Sequence, residues 1–423
     1  MRNQGRTGYN RLVIYGPKNG PEGRKAVTMF TYLDNSATTR PYDQVTELVV
    51  KTMSEDFGNP SSLHRLGMAA EKMVKEARAN VAASLGALPE EIFFTSGGTE
   101  GDNTAIFGAV NARRHQGNKI ITTSVEHPAV LEAFKELKRQ GCETVYLDVD
   151  RQGYVDLEQL KKELDENTVL VSVMMVNNEL GSVQPLMEVS KLIKEANDRY
   201  GKSILFHTDA VQAWGKEEID VRKLPVDLLS VSGHKIHGPK GIGALYVRKG
   251  VNIPSLLFGG GQEKGFRSGT ENVPFIVGLG LAAKLAEEER KEKIGHLKDM
   301  RNKLMTGIEE TIEDAVINSP REENYSPAIL NVSFPGCRGE VLLHMLEQKE
   351  IYVSTGSACS SHKKGSHVLT AAGLTPEQIE GALRFSFSCD ITGEQIDYTL
   401  KELKAAVDSM RRLTKMMGRG KKR

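Results

Sequence analysis

Short apolar runs rich in β-branched and aromatic residues recur through the middle of the chain: EIFFTS, KIITTS, ETVYLDV, TVLVSVMMV, SILFHTDA, VDLLSVS and GALYVRK. Stretches of helical character separate them, and this alternation predicts strands joined by helices. An α/β fold follows, built on a mostly parallel seven-stranded sheet with helices wrapped around it. In open sheets of this kind ligands gather beyond the carboxyl ends of the strands. The residues that follow each run are therefore the ones to read for chemistry. After Pro274 a long, highly charged helical stretch, LAAKLAEEERKEKIGHLKDMRNKL, predicts a bridge to a second, smaller domain that ends near Leu413.

Length supports two domains, because a single core stops growing near ~250 to 300 residues and this chain has 423. Lys and Arg number 56 against 55 Asp and Glu, a net charge of +1. That balance excludes a strongly basic nucleic-acid binder, so direct nucleic-acid contact is not expected. Four cysteines, none spaced as CxxC, form no disulfide framework and point to a reducing cytoplasm. No apolar run approaches the ~18 residues of a membrane span. Residues 1–28 hold six Arg or Lys against one acid, with five glycines and two prolines. This composition reads as a disordered extension that is dispensable for chemistry. Residues 414–423 read as a basic, solvated tail.

EIFFTS is followed by GGTEGDN, a glycine-rich turn opening a helix. Free N–H groups and the positive dipole end there make Gly98 and Thr99 candidates for holding a phosphate, although a helix cap alone would account for both. KIITTS leads into VEHPAV and sets His127 at the next strand end, where a structural histidine is the bland alternative. TVLVSVMMV leads into NNELG, placing Asn177 and Asn178 at a third end, where asparagines also form turns. SILFHTDAVQ sets Asp209 and Gln212 beyond a fourth. A carboxylate in that position needs a positive partner or donors, because burying it alone is costly.

VDLLSVSGHK ends a fifth run with Ser232, His234 and Lys235, ahead of the glycines of HGPKGIG. An ordinary surface lysine has no need of so apolar and tightly turning a setting. One cofactor explains these groups jointly. Pyridoxal 5'-phosphate requires a lysine to bind its aldehyde covalently, a carboxylate opposite its pyridinium nitrogen, and donors around its phosphate.

LDNSATT, FTSGGTEGDN, EHPAVLE, VNNELGSVQP, HTDAVQ, SGHKIHGPKGIG, RSGTENV, STGSACSS and LRFSFS follow one another from about residue 30 to about residue 410. In this order they resemble the motifs of the NifS/IscS-type cysteine desulfurases, a far more specific signal than any one motif. The resemblance implies a fold-type I pyridoxal phosphate transferase and a homodimer. Its reaction would convert L-cysteine to L-alanine and leave the sulfur as a persulfide on an enzyme cysteine. The large cofactor-binding domain would span 44–291, and a small α+β domain would combine 29–43 with 292–413.

By the same resemblance Lys235 binds the cofactor and then moves the substrate Cα proton, and His127 stacks on the pyridine ring. Asp209 pairs with the ring nitrogen, while Gln212 and Asn178 contact the ring oxygen and its neighbours. Thr99, Ser232 and His234 hold the phosphate, beside Gly98, and Thr270 of RSGT reaches the phosphate of the other subunit. Arg384 of LRFSFS grips the substrate carboxylate with its bidentate fork, and Asn35 is a second candidate for that contact. Cys359, in the small-residue stretch STGSACSSHKKGSHVL, is the sulfur acceptor. Lys363, Lys364, His362 and His367 are near it in sequence and could favour its thiolate. The persulfide would pass to an acceptor protein, an iron–sulfur scaffold or a tRNA-thiolation enzyme.

Two features depart from the commoner family pattern: Gly101 stands where serine is frequent, and the C-terminal end is short and basic. An aminotransferase or selenocysteine lyase of the same fold is the nearest rival, and an aminotransferase has no use for a loop thiol. A metal site from Cys359, His362 and His367 would leave Lys235, Asp209 and His127 unexplained. HGPKGIG lacks the GK[ST] ending of a nucleotide-binding P-loop.

Overall fold

The structure, a computed structural model, describes residues 29–288, 290–356 and 365–420, with side chains to residue 413. The extension 1–28, the segment holding Cys359, His362, Lys363 and Lys364, and the end of the basic tail lie outside the described residues.

The chain enters through strand β1 (Thr31–Tyr32) and helices α1 (Asp43–Ser54) and α2 (Arg65–Leu85). The apolar runs then form β2 (Ile92–Thr95), β3 (Lys119–Thr123), β4 (Glu143–Leu147), β5 (Thr168–Ser172), β6 (Leu205–Asp209), β7 (Leu228–Ser232) and β8 (Gly243–Val247). Helices α3 (Gly98–Arg113), α4 (Pro128–Arg139), α5 (Leu157–Glu163) and α6 (Leu186–Tyr200) connect the first five of these strands.

All of them lie in one seven-stranded sheet, in the order β2-β8-β7-β6-β5-β3-β4. Only β8 opposes both of its neighbours; the pairs among β3, β4, β5, β6 and β7 are parallel. Every residue of β3, β5, β6, β7 and β8 is buried, which is why their sequences are continuous rather than alternating. The edge strand β4 exposes one end and is the most mixed of the runs.

Helix α3 lies hard against β7. A Cβ at Gly101 would sit 3.1 Å from Ser230 Oγ, closer than a side chain tolerates without a shift. The glycine that departs from the family pattern thus lets the helix approach the sheet and brings its amino end to the carboxyl ends of β2 and β7.

The charged stretch after Pro274 is helical as expected, α7 (Val273–Glu288) and α8 (Arg290–Thr311) lying on either side of residue 289, which is outside the described residues. The first is apolar along most of its length and is buried against α1 and α2, whereas the second turns most of its charged face to solvent. Beyond them come β9 (Val316–Ile317), β10 (Ile329–Ser333), α9 (Gly339–Glu347), β11 (Ile351–Tyr352), α10 (His367–Ala371), α11 (Pro376–Glu380), β12 (Ala382–Ser386) and α12 (Gly393–Gly420). The backbone of α12 continues into the segment read as a tail.

Strand β10 pairs antiparallel with β12 and β9, and β1 pairs parallel with β11. The N-terminal strand therefore joins the C-terminal part of the chain, and Ser386 N donates to Leu33 O at 2.7 Å. The turn that follows, Asp34 to Thr38, is carried across to the ends of the large sheet.

Candidate active site

Five strand ends and the turn after β1 enclose a cavity of about 230 Å³. Gly98 and Thr99 line it from beyond β2, His127 from β3, Asn178 and Glu179 from β5. Asp209 and Gln212 follow β6, and Ser232, His234 and Lys235 end β7. Ser36 and Ala37 come from the N-terminal turn, and Arg384 comes from β12. Asn35 and Thr270 are not in this wall. Asn35 Nδ2 donates to the carbonyl oxygens of Tyr32 at 3.2 Å and Ser386 at 2.9 Å, anchoring the turn. Thr270 lines a different cavity, of about 260 Å³, with Ser96, Gly269 and Asn272.

The LDNSATT turn does more here than its sequence suggests. Lys235 Nζ donates to the carbonyl oxygen of Ser36 and, at 2.9 Å, to that of Ala37. Gln212 Nε2 donates to the same Ser36 carbonyl at 3.0 Å. Thr39 Oγ1 donates to His234 O at 3.0 Å, stitching the turn to the lysine segment from its other side. Backbone oxygens thus aim the amine into the cavity.

His127 owes its place to helix capping. It is the N-cap of α4, with Pro128 at the first helical position, and its Nδ1 accepts from Ala129 N at 3.1 Å. A neutral imidazole accepting at Nδ1 carries its proton on Nε2. The ring is held neutral because burial lowers its pKa, an effect that Asp209 opposes and that Lys235 and His367 reinforce. His234, with Nδ1 3.2 Å from Thr38 Oγ1, is driven down to about 4 by burial and by Lys235.

Of the two asparagines, Asn177 is the turn former. Its Oδ1 accepts from Glu179 N at 2.9 Å and Leu180 N at 2.8 Å, and its Nδ2 donates to Val125 O at 3.0 Å. Asn178 is left facing the cavity, with Oδ1 buried and lacking a hydrogen-bond partner among the described residues. Gln212 Oε1 and Ser36 Oγ share that condition.

The floor of the cavity is acidic. Asp209 is buried, and its Oδ1 accepts from Val211 N at 2.9 Å. Burial raises its pKa, with His127 and Lys235 pulling in the opposite direction. Asp102, one helical turn past Gly98, lines the same cavity and is pushed well above the carboxylate range by burial and by the charge of Asp209. Behind them Glu126 Oε1 accepts from Met174 N at 2.8 Å and Thr123 Oγ1 at 2.9 Å. Burial lifts that carboxyl to about 8 and holds the neighbouring imidazole of His207 down to about 3.

The protonated Glu126 makes stability depend on pH. A carboxyl raised from 4.5 to about 8 stabilises the fold below its unfolded pKa and loses that contribution as pH rises through the folded value. His207 works the other way, but only below its ordinary 6.5. Between pH 6.5 and 8 the cofactor-free protein is therefore expected to lose thermal stability, and Glu126→Gln, which keeps the acceptor oxygen, is expected to flatten that decline. Melting temperatures of both proteins across this window check it; parallel curves would refute it.

These residues fit pyridoxal phosphate. A buried carboxyl with a raised pKa calls for a cationic partner, which a protonated ring nitrogen provides. The amino end of α3, with Ser232 and His234 opposite, suits an anion. The orphaned oxygens of Asn178, Gln212 and Ser36 suit a polar ligand rather than an apolar one.

The aminotransferase class-V family matches residues 31–399. The cysteine desulfurase IscS of Clostridium botulinum is 45% identical over 385 residues, covering 90% of this chain and 96% of that one. The chain belongs to this family, among the cysteine desulfurases. Among solved structures, a NifS-like protein superposes on this desulfurase with a TM-score of 0.84 at 42% identity, covering 90% of this chain and 100% of that one. SspA in complex with cysteine has a TM-score of 0.72 at 34% identity, covering 85% and 99%. The family is one of pyridoxal phosphate enzymes, and the fold of this desulfurase is the fold-type I arrangement.

Sequence reading missed Asp34, Ser36, Ala37, Asp102 and Glu179, all of which shape the site. Asp34 Oδ1 accepts from Arg384 Nη2 at 2.8 Å, and Arg384 Nη1 donates to Asn178 O at 2.9 Å. Asp102 carried a usable signal, because the i, i+4 spacing from Gly98 puts it on the helix face that meets the anion site.

Proposed function

We propose that this cysteine desulfurase binds pyridoxal phosphate at Lys235 and converts L-cysteine to L-alanine, passing the sulfur to Cys359. The observation that carries the reading is that Lys235, Asp209 and His127 meet in one cavity with Arg384. Bound there, the cofactor supplies a sink for the electron pair left at the substrate Cα. Asp209 would keep its ring nitrogen protonated, and Gln212 and Asn178 would contact its ring substituents. Gly98, Thr99, Ser232 and His234 would hold its phosphate.

Arg384, fixed by Asp34 and the Asn178 carbonyl, would take the substrate carboxylate. Lys235 Nζ would move the proton from the substrate Cα, and His127, with its proton on Nε2, would hold or return one. Cys359 Sγ would attack the substrate Sγ. The S–S bond forms as the Cβ–S bond breaks, and the electron pair goes to Cβ, so that protonation gives alanine.

The persulfide would then pass to an acceptor protein, an iron–sulfur scaffold or a tRNA-thiolation enzyme, in the cytoplasm. A homodimer is supported by the apolar side chains that the single chain exposes, Phe57, Leu63, Met68 and Phe258. Thr270, away from its own chain's cavity, would serve the phosphate of the partner subunit. Residues 44–291 would act as the large domain, with 29–43 and 292–413 as the small one.

The deciding experiment measures alanine and sulfide released from L-cysteine with dithiothreitol, beside Cys359→Ser. Alanine from the parent is expected to fall by about 100-fold or more in the variant. A parent that binds the cofactor and forms no alanine would overturn the reading.

A further inference from the structure

The anion site at the start of α3 has a carboxylate of its own. The helix offers its amino end to the cavity through Gly98 and Thr99, and Glu100 is the next residue, still in the first turn. Its Oε2 accepts from Ser96 N at 2.8 Å, so the carboxylate reaches back and closes the glycine-rich turn. A negative group there is favourable in itself, because it faces the positive end of the helix dipole. A phosphate draws on that same end. The two anions oppose each other unless one of them is compensated.

The compensating group is Arg267. Its Nε donates to Glu100 Oε1 at 2.8 Å and its Nη2 to Oε2 at 3.3 Å, a two-pronged contact between side chains 29% and 17% exposed. Burial pushes the Glu100 carboxyl up, but the bonds from Arg267 and Ser96 outweigh it and hold the group below its ordinary pKa.

The segment that carries Arg267 has other anchors. Arg78 Nη1 donates to Glu263 Oε2 at 2.8 Å and its Nη2 to Oε1 at 2.7 Å, while Phe94 N donates to the same Oε2 at 3.1 Å. Phe266 packs on Phe93 with ring centroids 4.4 Å apart, and Ser268 N donates to Leu257 O at 3.2 Å. These contacts fasten the segment to α2 and β2 without Arg267, whose guanidinium is left with an electrostatic task. We propose that Arg267 is a positioning residue for the cofactor phosphate: it cancels the charge of Glu100, so that the amino end of α3 can be closed by a carboxylate and still receive an anion.

Charge and support make opposite predictions for paired substitutions. Removing Arg267 leaves one uncompensated negative charge beside the site, and removing both charges restores the balance. A supporting contact could not be restored in that way, since the double variant lacks it altogether.

The inference rests on the pyridoxal phosphate reading, and the test separates the two. Full-length protein stripped of cofactor is titrated with pyridoxal phosphate and with pyridoxal, which lacks the phosphate, and the absorbance of the bound aldehyde gives each Kd. Parent, Arg267→Met, Arg267→Lys, Glu100→Gln and the Glu100→Gln/Arg267→Met double variant are compared at low and at high salt.

At low salt Arg267→Met is expected to weaken pyridoxal phosphate binding about tenfold, and the double variant to return to within about threefold of the parent. Glu100→Gln alone should bind about threefold more tightly than the parent, with Arg267 now unopposed. Arg267→Lys, which keeps the charge and loses the fork, should stay within about threefold. High salt should narrow the gap between Arg267→Met and the parent, because it screens the repulsion. Pyridoxal should bind all of these proteins within about twofold of the parent. A double variant as weak as Arg267→Met would overturn the inference, as would an equal loss for pyridoxal or an Arg267→Met protein that binds pyridoxal phosphate as the parent does. Should Arg267→Met fail to fold, Glu100→Gln decides: binding tighter than the parent's at low salt supports the inference, and binding no tighter refutes it. A parent that binds neither compound refutes the cofactor reading itself, whatever the variants do.

Discussion

Lys235→Ala is expected to lower alanine formation from cysteine by about 10⁴-fold, the upper range for loss of a positioned proton-transfer group. The reasoning starts with its surroundings. The amine extends from a short turn after a fully buried strand and donates to the Ser36 and Ala37 carbonyls on the far side of the cavity. These carbonyls orient the amine, and the buried carboxyl of Asp209 lies close enough to interact with its charge. Lys235 is thus aimed for chemistry, whereas Lys119, buried among Glu143, Glu163 and Asp165, is aimed for structure. Borohydride reduction followed by peptide mass mapping should find the cofactor on the Lys235 peptide of the parent and on no peptide of the variant. A variant that retains a tenth of the parent rate would remove Lys235 from the mechanism.

The sheet was legible because most of its strands are buried throughout, so these became continuous, mainly apolar runs with polar residues at their carboxyl ends. His127, Asp209, Ser232 and Lys235 were found by reading those ends. Adjacent polar residues were harder to tell apart. Nothing in NNELG says that Asn177 turns inward to accept two backbone N–H groups while Asn178 faces the cavity; that choice is made by the turn. Asn35 and Asp34 pose the same problem, since the first anchors backbone and the second holds Arg384. Their partners lie about 350 positions away along the chain, a separation local pattern cannot bridge. The helical character of the charged stretch after Pro274 was legible in its composition, and α7 and α8 carry it. Cys359 is known from its motif alone, outside the described residues.

Asp209→Asn separates function from stability. With the cofactor bound, the amide is expected to cost about 10³-fold in alanine formation, the scale for removing one electrostatic partner from a preorganised site. Its shape still accepts from Val211 N, so a loss of that size reports the charge and not a collapsed turn. Without the cofactor the balance reverses. The folded-state carboxyl is raised by burial, so its contribution to stability is present below the unfolded pKa and disappears as pH rises through the folded value. An asparagine has no such loss. The cofactor-free variant should therefore melt at a higher temperature than the parent at pH 8, and the gap should close toward pH 4. Scanning calorimetry at both pH values, beside single-turnover assays of the loaded proteins, tests the pair of outcomes. A variant as active as the parent would show that Asp209 does not pair with the cofactor's ring nitrogen. A variant less stable than the parent at pH 8 would show that the buried carboxylate is compensated by the protein itself. The expected combination, lower activity and higher cofactor-free stability, assigns the missing compensation to the ring nitrogen, which pairs with a carboxylate that the empty protein holds at a cost.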